Sequence, residues 1–409
     1  MKKKELIKEL IVSFQQSLRH DLFSRDVDIP FNTGKIVVLK GVRRSGKSST
    51  LHLTIHQVLA SGVSENQILF INFDDERIPF DTSEFDLILQ SYRELFPDVP
   101  LQEVYMFFDE IQVTNGWEQF VRRVYDNETC NIFITGSNAR LLGSEIATSL
   151  RGRTLQYEIF PLSFGEYCQF NGITGNKYNA SYKARAMKAF HQYLFNGGFP
   201  ELVINSYEHQ NRILQEYYHV MLYRDLLERY EIRNLPALKY FIRRILANIT
   251  KPTSINKIFN EMKSVGISVG KNSLYEWIDY LEAVYLFFPL PAFEPSMVKE
   301  SAAEKKYYCI DNGLQRSLSA LHSDNKGALL ENIVYLWLRN SSTMETRLYY
   351  YKGKKECDFV VAEGGKVDIL IQVSWDVSDK DTLKREIAGL LEASEKLSCS
   401  NLWLITTDA

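Results

Sequence analysis

From Lys35 to about Ile159, short apolar runs alternate with segments of helical spacing. The runs are IVVL (36–39), ILFINF (68–73), VYMFF (104–108), IFIT (132–135) and LQYEIF (155–160). Between them SSTLHLTIHQVLA, QSYRELF and WEQFVRRVYD carry the periodicity of amphipathic helices. Runs that are apolar throughout, not at every second position, predict strands buried on both faces, hence a parallel sheet covered by helices. Residues 183 to 234 are helical by periodicity, interrupted at NGGFP (196–200). After Pro236, ALKYFIRRILANI, SINKIFNEMKSVG and GKNSLYEWIDYLEAV read as three helices, followed by the β-like LFFPLPAF, which is the order of a winged helix. From Ser301 strands return in KKYYCID, RLYYYKG, ECDFVVAEGG, KVDILIQVSW and NLWLITT, with the helix GALLENIVYLWLRN after the first and another before the last. The expected organisation is a core over 1–165, a helical segment over 166–235, a winged helix over 236–295 and an α/β domain over 296–409.

Composition changes this picture little. Hydrophobic content of 45% and aromatic content of 13% suffice for several cores, and nothing reads as disordered throughout. The net charge of −3 excludes a uniformly basic surface but not a local basic patch. Cys130, Cys168, Cys309, Cys357 and Cys399 form no C-x-x-C pair, so neither a zinc site nor a disulfide framework is expected. The start, MKKKELIKEL, reads as an amphipathic helix, not a signal peptide. The most apolar stretch, VYLFFPLPAF, is too short to span a bilayer. A cytoplasmic protein without a membrane partner is the expectation.

The chemistry begins at GVRRSGKSS, Gly41 to Ser49, directly after the first strand. Gly41, Gly46, Lys47 and Ser48 satisfy G-x-x-x-x-G-K-[ST], whose backbone N–H groups cradle phosphates at the start of a helix. Lys47 is expected to reach the β and γ phosphates and Ser48 to hold Mg²⁺, with Arg43, Arg44, Ser45 and Ser49 completing the loop. The two arginines either neutralise phosphate charge or face solvent. VYMFFDE ends the third strand on Asp109 and Glu110, which suits Asp109 to Mg²⁺ and Glu110 to polarising the attacking water. IFITGSN ends the fourth on Ser137 and Asn138, either a sensor of the γ-phosphate or a plain turn. Arg151 and Arg153 flank a glycine before the fifth strand, either as an arginine finger toward a neighbouring subunit's nucleotide or as solvated loop residues.

Together, GVRRSGKSS, FFDEIQ, ITGSNARLL and RGR…FPLSFGEY resemble the large prokaryotic family of AAA+-type predicted ATPases. GGFPE (197–201) and YRDLLERY (223–230) extend the resemblance over most of the chain. It implies ATP as the nucleotide, an AAA+-like P-loop core, a helical lid after it, and a C-terminal domain of uncharacterised role. Homo-oligomer formation is compatible with the arginines.

In a DNA-binding winged helix, Lys271, Asn272, Ser273 and Tyr275 would stand at the start of the groove-entering helix, and Arg243, Arg244, Lys251 and Lys257 would meet phosphates. Glu261, Glu276, Asp279 and Glu282 on the same helices keep a protein-binding role open. The C-terminal order resembles the restriction-endonuclease-like fold, whose active members supply a helix Glu, a strand Asp and Glu-x-Lys on the next strand. Glu331 and Asp358 match the first two, but Gln372 and Ser374 stand where Glu and Lys would be. An uncharged amide is a poor Mg²⁺ ligand and Ser374 brings no positive charge, so a nuclease-like scaffold without cleavage is expected. Glu356 and Asp376 are alternative acids that no spacing argument favours. The overall expectation is a Mg²⁺-dependent ATPase whose cycle repositions a winged helix and a degenerate nuclease-like domain on DNA, the alternatives being a switch that binds a protein partner or an active nuclease.

Overall fold

A computed structural model describes residues 2–18, 21–136, 150–205, 208–319 and 325–407. The chain forms two compact units, Met1–Pro161 and Leu162–Ala409. The first holds α1 (Lys2–Gln16), β1 (Ile36–Lys40), α2 (Lys47–Ala60), β2 (Ile68–Asn72), α3 (Asp86–Leu95), β3 (Tyr105–Asp109), α4 (Trp117–Asn127), β4 (Ile132–Gly136) and β5 (Thr154–Glu158). The strands pair in parallel in the order β2-β3-β4-β1-β5.

Each inner strand divides its side chains between two cores. Ile36, Val38, Met106, Phe108, Ile132 and Ile134 pack on one face with α1, α3 and α4 through Ile7, Ile11, Ile88 and Phe120. Val37, Leu39, Phe107 and Phe133 pack on the other with Leu51, Ile55 and Val58 of α2. This double burial is why the strands read as unbroken apolar runs. β5 is an edge strand with Leu155 exposed. Chain order reverses at β1, which lies between β4 and β5; in open α/β sheets, ligands bind at the carboxyl ends beside such a reversal.

The second unit opens with α5 (Phe164–Phe170), α6 (Ala180–Asn196), α7 (Pro200–Ile204) and α8 (Gln210–Val220), which continues into a π-helical stretch, Met221–Glu228. Next come α9 (Leu235–Ala247), α10 (Ile255–Ser264), α11 (Lys271–Ala283), β6 (Phe287–Leu290), α12 (Met297–Ala302), β7 (Lys306–Cys309) and α13 (Asn312–Leu318). The last part is α14 (Lys326–Ser341), β8 (Thr346–Lys352), β9 (Glu356–Glu363), β10 (Lys366–Val373), α15 (Lys380–Leu397) and β11 (Leu402–Ile405). Its sheet order is β11-β10-β9-β8, with β11 parallel to β10 and the other neighbours antiparallel.

Two boundaries differ from the sequence expectation. β7 pairs antiparallel with β6, Phe287 opposite Cys309, so a boundary at 295/296 would divide one two-stranded sheet. Backbone pairing assigns KYYC to the hairpin behind α9–α11, not to the C-terminal sheet. Residues 166–235 likewise do not stand apart from the remainder of the second unit. Gly198 N–H donates to Asp311 Oδ2 (2.7 Å), Asn312 Nδ2 to Leu194 O (2.9 Å) and Arg316 Nη1 to Phe195 O (2.9 Å). The glycines of NGGFP permit this approach: a Cβ on Gly197 would lie 2.1 Å from Asp311 Oδ1.

Candidate functional site

The phosphate loop is built by backbone geometry. Gly46 (φ 98°) ends the loop in the left-handed region and caps α2 without a side-chain hydrogen bond, so the first amides of a 14-residue helix are left open to a ligand in the loop. Gly41 lies against the chain leaving β5, where an added Cβ would sit 2.2 Å from Ile159 O. Arg25 braces the loop from outside, donating to Ser45 O and Phe160 O (2.9 Å each). Lys47 is buried, its Nζ donating to Val42 O (2.9 Å) and Gly41 O (3.2 Å) across the loop. Ser45 Oγ is buried with no hydrogen-bond partner among the described residues. Open helix-start amides, an ammonium over the loop and an unsatisfied hydroxyl fit a polyphosphate. Arg43 is half-buried and Arg44 is exposed at φ 63°. Ser49 is half-buried in the first turn of α2.

Beside this loop, β3 delivers Asp109 and Glu110. Asp109 is 5% exposed, and Ser48 at the start of α2 is near enough to help hold its carboxyl down. Thr135, at the end of β4, donates its hydroxyl to Asp109 Oδ1 and accepts from Glu110 N–H (3.0 Å). Burial pushes the Asp109 carboxyl above its usual range; the Thr135 bond opposes this, the Glu110 charge adds to it, and Ser48 and Lys47 oppose it further. Glu110 turns at φ 50°, a strained conformation for a side-chain-bearing residue, and its Oε2 accepts from Gln112 Nε2. Ser48 and Asp109 thus present hard oxygen donors side by side, which is the donor chemistry that Mg²⁺ takes with only a few protein ligands. Thr135 and Gln112 are silent in the sequence, where a threonine inside a strand and a glutamine after an acid pair carry no signal of their own.

The remaining expected residues are placed differently. Ser137 and Asn138 lie outside the described residues. Arg153 pairs with Asp126 (2.9 Å) and packs over the Tyr125 ring, while Arg151 is exposed at φ 47°. Both precede β5, whose Thr154 stands opposite Ile36 at the start of β1. The phosphate loop follows the other end of β1, so the arginines lie about 15 Å from it along the strand direction. The structure brings together Lys47, Ser48, Asp109 and Glu110 and does not bring Arg151 or Arg153 to them.

Comparison with known proteins agrees with this core. The AAA domain family model matches residues 33–168, and two further models, each described as a domain of unknown function (DUF8612 and DUF4143), match 187–325 and 326–408. Uncharacterized protein MJ1544 of Methanocaldococcus jannaschii is 36% identical over 408 residues, covering 98% of this chain and 88% of that protein. This chain belongs to the MJ1544 family. An uncharacterized protein of Haemophilus influenzae is 28% identical over 352 residues, covering 85% and 84% of the two chains. The ADP form of the Aeropyrum pernix ORC2 protein is 10% identical and covers 83% of this chain and 94% of that one at a TM-score of 0.33, an overlap that carries no functional conclusion. In this MJ1544 family member, the N-terminal unit is a nucleotide-binding, ATPase-like AAA domain.

The C-terminal positions also converge. Glu331 on α14 and Asp358 on β9 both contact Lys306 Nζ, at 3.0 and 2.9 Å, and Glu356 joins them at 2.8 Å. Lys306, on β7, is fully buried and carries no motif of its own in the sequence. Tyr308 O–H donates to Glu331 Oε1 (2.7 Å), and Asp358 Oδ2 accepts from Val373 N–H (3.0 Å). Gln372 donates to Glu386 Oε2 (2.7 Å) while its Oε1 accepts from Asp358 N–H (3.3 Å). Ser374 donates to Asp376 O (3.1 Å), and Asp376 accepts from Ser378 N–H (2.7 Å) in the same turn. No helix among the described residues is long and apolar enough to cross a membrane.

Proposed function

We propose that this chain is a Mg²⁺-dependent ATPase whose hydrolysis cycle repositions a winged helix and a degenerate nuclease-like domain on DNA. The observation that carries the ATPase reading is the hydrogen-bonded chain Asp109–Thr135–Glu110 beside an uncapped helix start that carries Lys47 and Ser48. The loop amides and Lys47 bind the β and γ phosphates of ATP, and Ser48 and Asp109 hold Mg²⁺. When bound, the ion neutralises charge on the phosphate oxygens. Glu110, aimed by its left-handed turn and steadied by Gln112, takes the proton of the attacking water. Arg151 and Arg153 have no part in the same chain's site; a role for either is confined to a neighbouring subunit's nucleotide. Ser137 or Asn138 follows Thr135 closely enough in sequence to read the γ-phosphate. The helices before Leu235 act as the lid.

The DNA part of the reading rests on three helices followed by a two-stranded hairpin, with Lys271, Asn272 and Tyr275 exposed at the start of α11. A second reading, binding to a protein partner, is favoured by the exposed Glu276 and Asp279 on that helix and by Arg244 being paired with Glu261 (2.8 Å). The nuclease-like reading rests on the order helix, three antiparallel strands, helix, parallel strand, with Glu331 and Asp358 brought to one point. Calorimetry and turnover assays test the ATPase. Lys47→Ala is expected to abolish ATP binding, and Glu110→Gln to bind ATP without turning it over; turnover of Glu110→Gln at the parental rate would remove Glu110 as the base. Turnover with and without duplex, single-stranded and branched DNA separates the DNA reading, which expects stimulation, from the protein-partner reading.

A further inference from the structure

Lys306 brings a positive charge into an acid cluster from a neighbouring structural element. It is carried on β7 of the two-stranded hairpin, within the DUF8612 match, whereas Glu331, Glu356 and Asp358 belong to the DUF4143 match. An ammonium has three N–H donors. Here it meets three carboxylates at 2.8–3.0 Å, which saturates it. Two of the acids are aimed from behind, Glu331 by Tyr308 and Asp358 by Val373 N–H. Oxygens from separate elements converging on one buried cation are the arrangement of a metal-ion site, with a side chain at its centre. The spacing belongs to nitrogen: Mg²⁺ demands oxygens at about 2.0–2.1 Å and Ca²⁺ at about 2.3–2.6 Å. Accordingly, no group of three or more His, Cys, Asp or Glu among the described residues stands ready to hold a metal.

We propose that the Lys306 ammonium takes the place of a divalent cation at the Glu331–Glu356–Asp358 cluster, so that the C-terminal domain holds no metal while the hairpin is docked. This rests on the nuclease-like part of the proposed function and not on ATP hydrolysis. It gives the loss of a nuclease site a positive cause beyond the departures at Gln372 and Ser374. The cluster keeps its acids because a lysine needs them. The shared site also ties hairpin to α/β domain: leaving Lys306 without its acids, or the acids without Lys306, exposes uncompensated buried charge.

The test uses the full chain without nucleotide, reading Tb³⁺ luminescence sensitised by tyrosine and Mn²⁺ binding by calorimetry. Wild type and Asp358→Asn are expected to show the same absence of a saturable metal site at the cluster, because the cation that Asp358 contacts is the Lys306 ammonium. Lys306→Gln is expected to melt at a lower temperature, to gain one saturable site that disappears in Lys306→Gln/Asp358→Asn, and to recover melting temperature with Mn²⁺. Ion binding to wild type that is lost in Asp358→Asn overturns the proposal, and so does a folded Lys306→Gln that gains no site. If Lys306→Gln folds only when Mn²⁺ or Ca²⁺ is present, the ion is replacing the ammonium and the proposal stands; if neither ion recovers it, the proposal falls. ATP turnover of the same variants reads the N-terminal site separately.

Discussion

Replacing Thr135 by valine removes one hydroxyl and leaves the shape of β4 nearly unchanged, which isolates its two hydrogen bonds. Asp109 Oδ1 loses a donor at a carboxylate that is only 5% exposed, and Glu110 N–H loses its acceptor. A hydrogen bond to a charged group contributes about 1.5–3 kcal/mol, and a stranded buried donor costs about 1–3 kcal/mol. Partial relaxation toward Ser48 recovers some of this, so we expect a loss of about 3 kcal/mol from the N-terminal unit. For a unit of this size, that lowers the melting temperature by roughly 6–12 °C. Calorimetry of the full chain reads this as a shift of one transition, identified as the one that ATP raises. The second consequence is electrostatic. The Thr135 bond holds the Asp109 carboxyl down against burial, so its loss raises that group further and leaves less carboxylate to hold Mg²⁺ at mildly acidic pH. The acidic limb of ATP turnover should therefore move to higher pH in Thr135→Val and stay near its parental position in Thr135→Ser. A valine variant with parental melting temperature and an unmoved acidic limb would refute Thr135 as the bridge between the two acids.

Further expectations concern the second unit. Gly198→Ala places a methyl 2.4 Å from Leu162 O, which is fixed because Leu162 N–H donates to Gly198 O (2.7 Å); overpacking of this kind costs about 1–3 kcal/mol, to be read by thermal melting. Asp311 is buried, which pushes its carboxyl from 3.8 up to about 6 despite the N–H groups of Gly198, Leu314 and Gly313. Its folded-state value is the higher one, so its contribution is most favourable below the unfolded value and is lost as pH rises through about 6, a change of about 3 kcal/mol. Denaturation midpoints measured from pH 4 to 7 should show this fall, and Asp311→Asn should flatten it; an equal slope in both proteins would count against it.

How each site is held together decides whether its residues could be read from the sequence. The phosphate loop was legible because its parts are contiguous: a strand, two glycines with fixed backbone tasks and a helix start within Gly41–Ser49. The strands were legible because their double burial leaves no alternation to misread, and the observed limits fall within a residue or two of the apolar runs. Thr135 was hidden because its task comes from sheet order. Only when β4 lies between β1 and β3 does the end of β4 face Asp109. The arginines before β5 looked suitable because sequence distance says nothing of which end of a strand a residue occupies; register with β1 decides it. Lys306 was hidden twice over. Its strand, KYYC, fits a hairpin and a larger sheet equally well by composition, and its acids lie 25 to 52 residues away on other elements. The departures at Gln372 and Ser374 therefore looked like charges deleted from a metal site. The fold shows that positive charge enters the cluster from another direction, through a lysine whose role only the pairing of β6 with β7 could disclose.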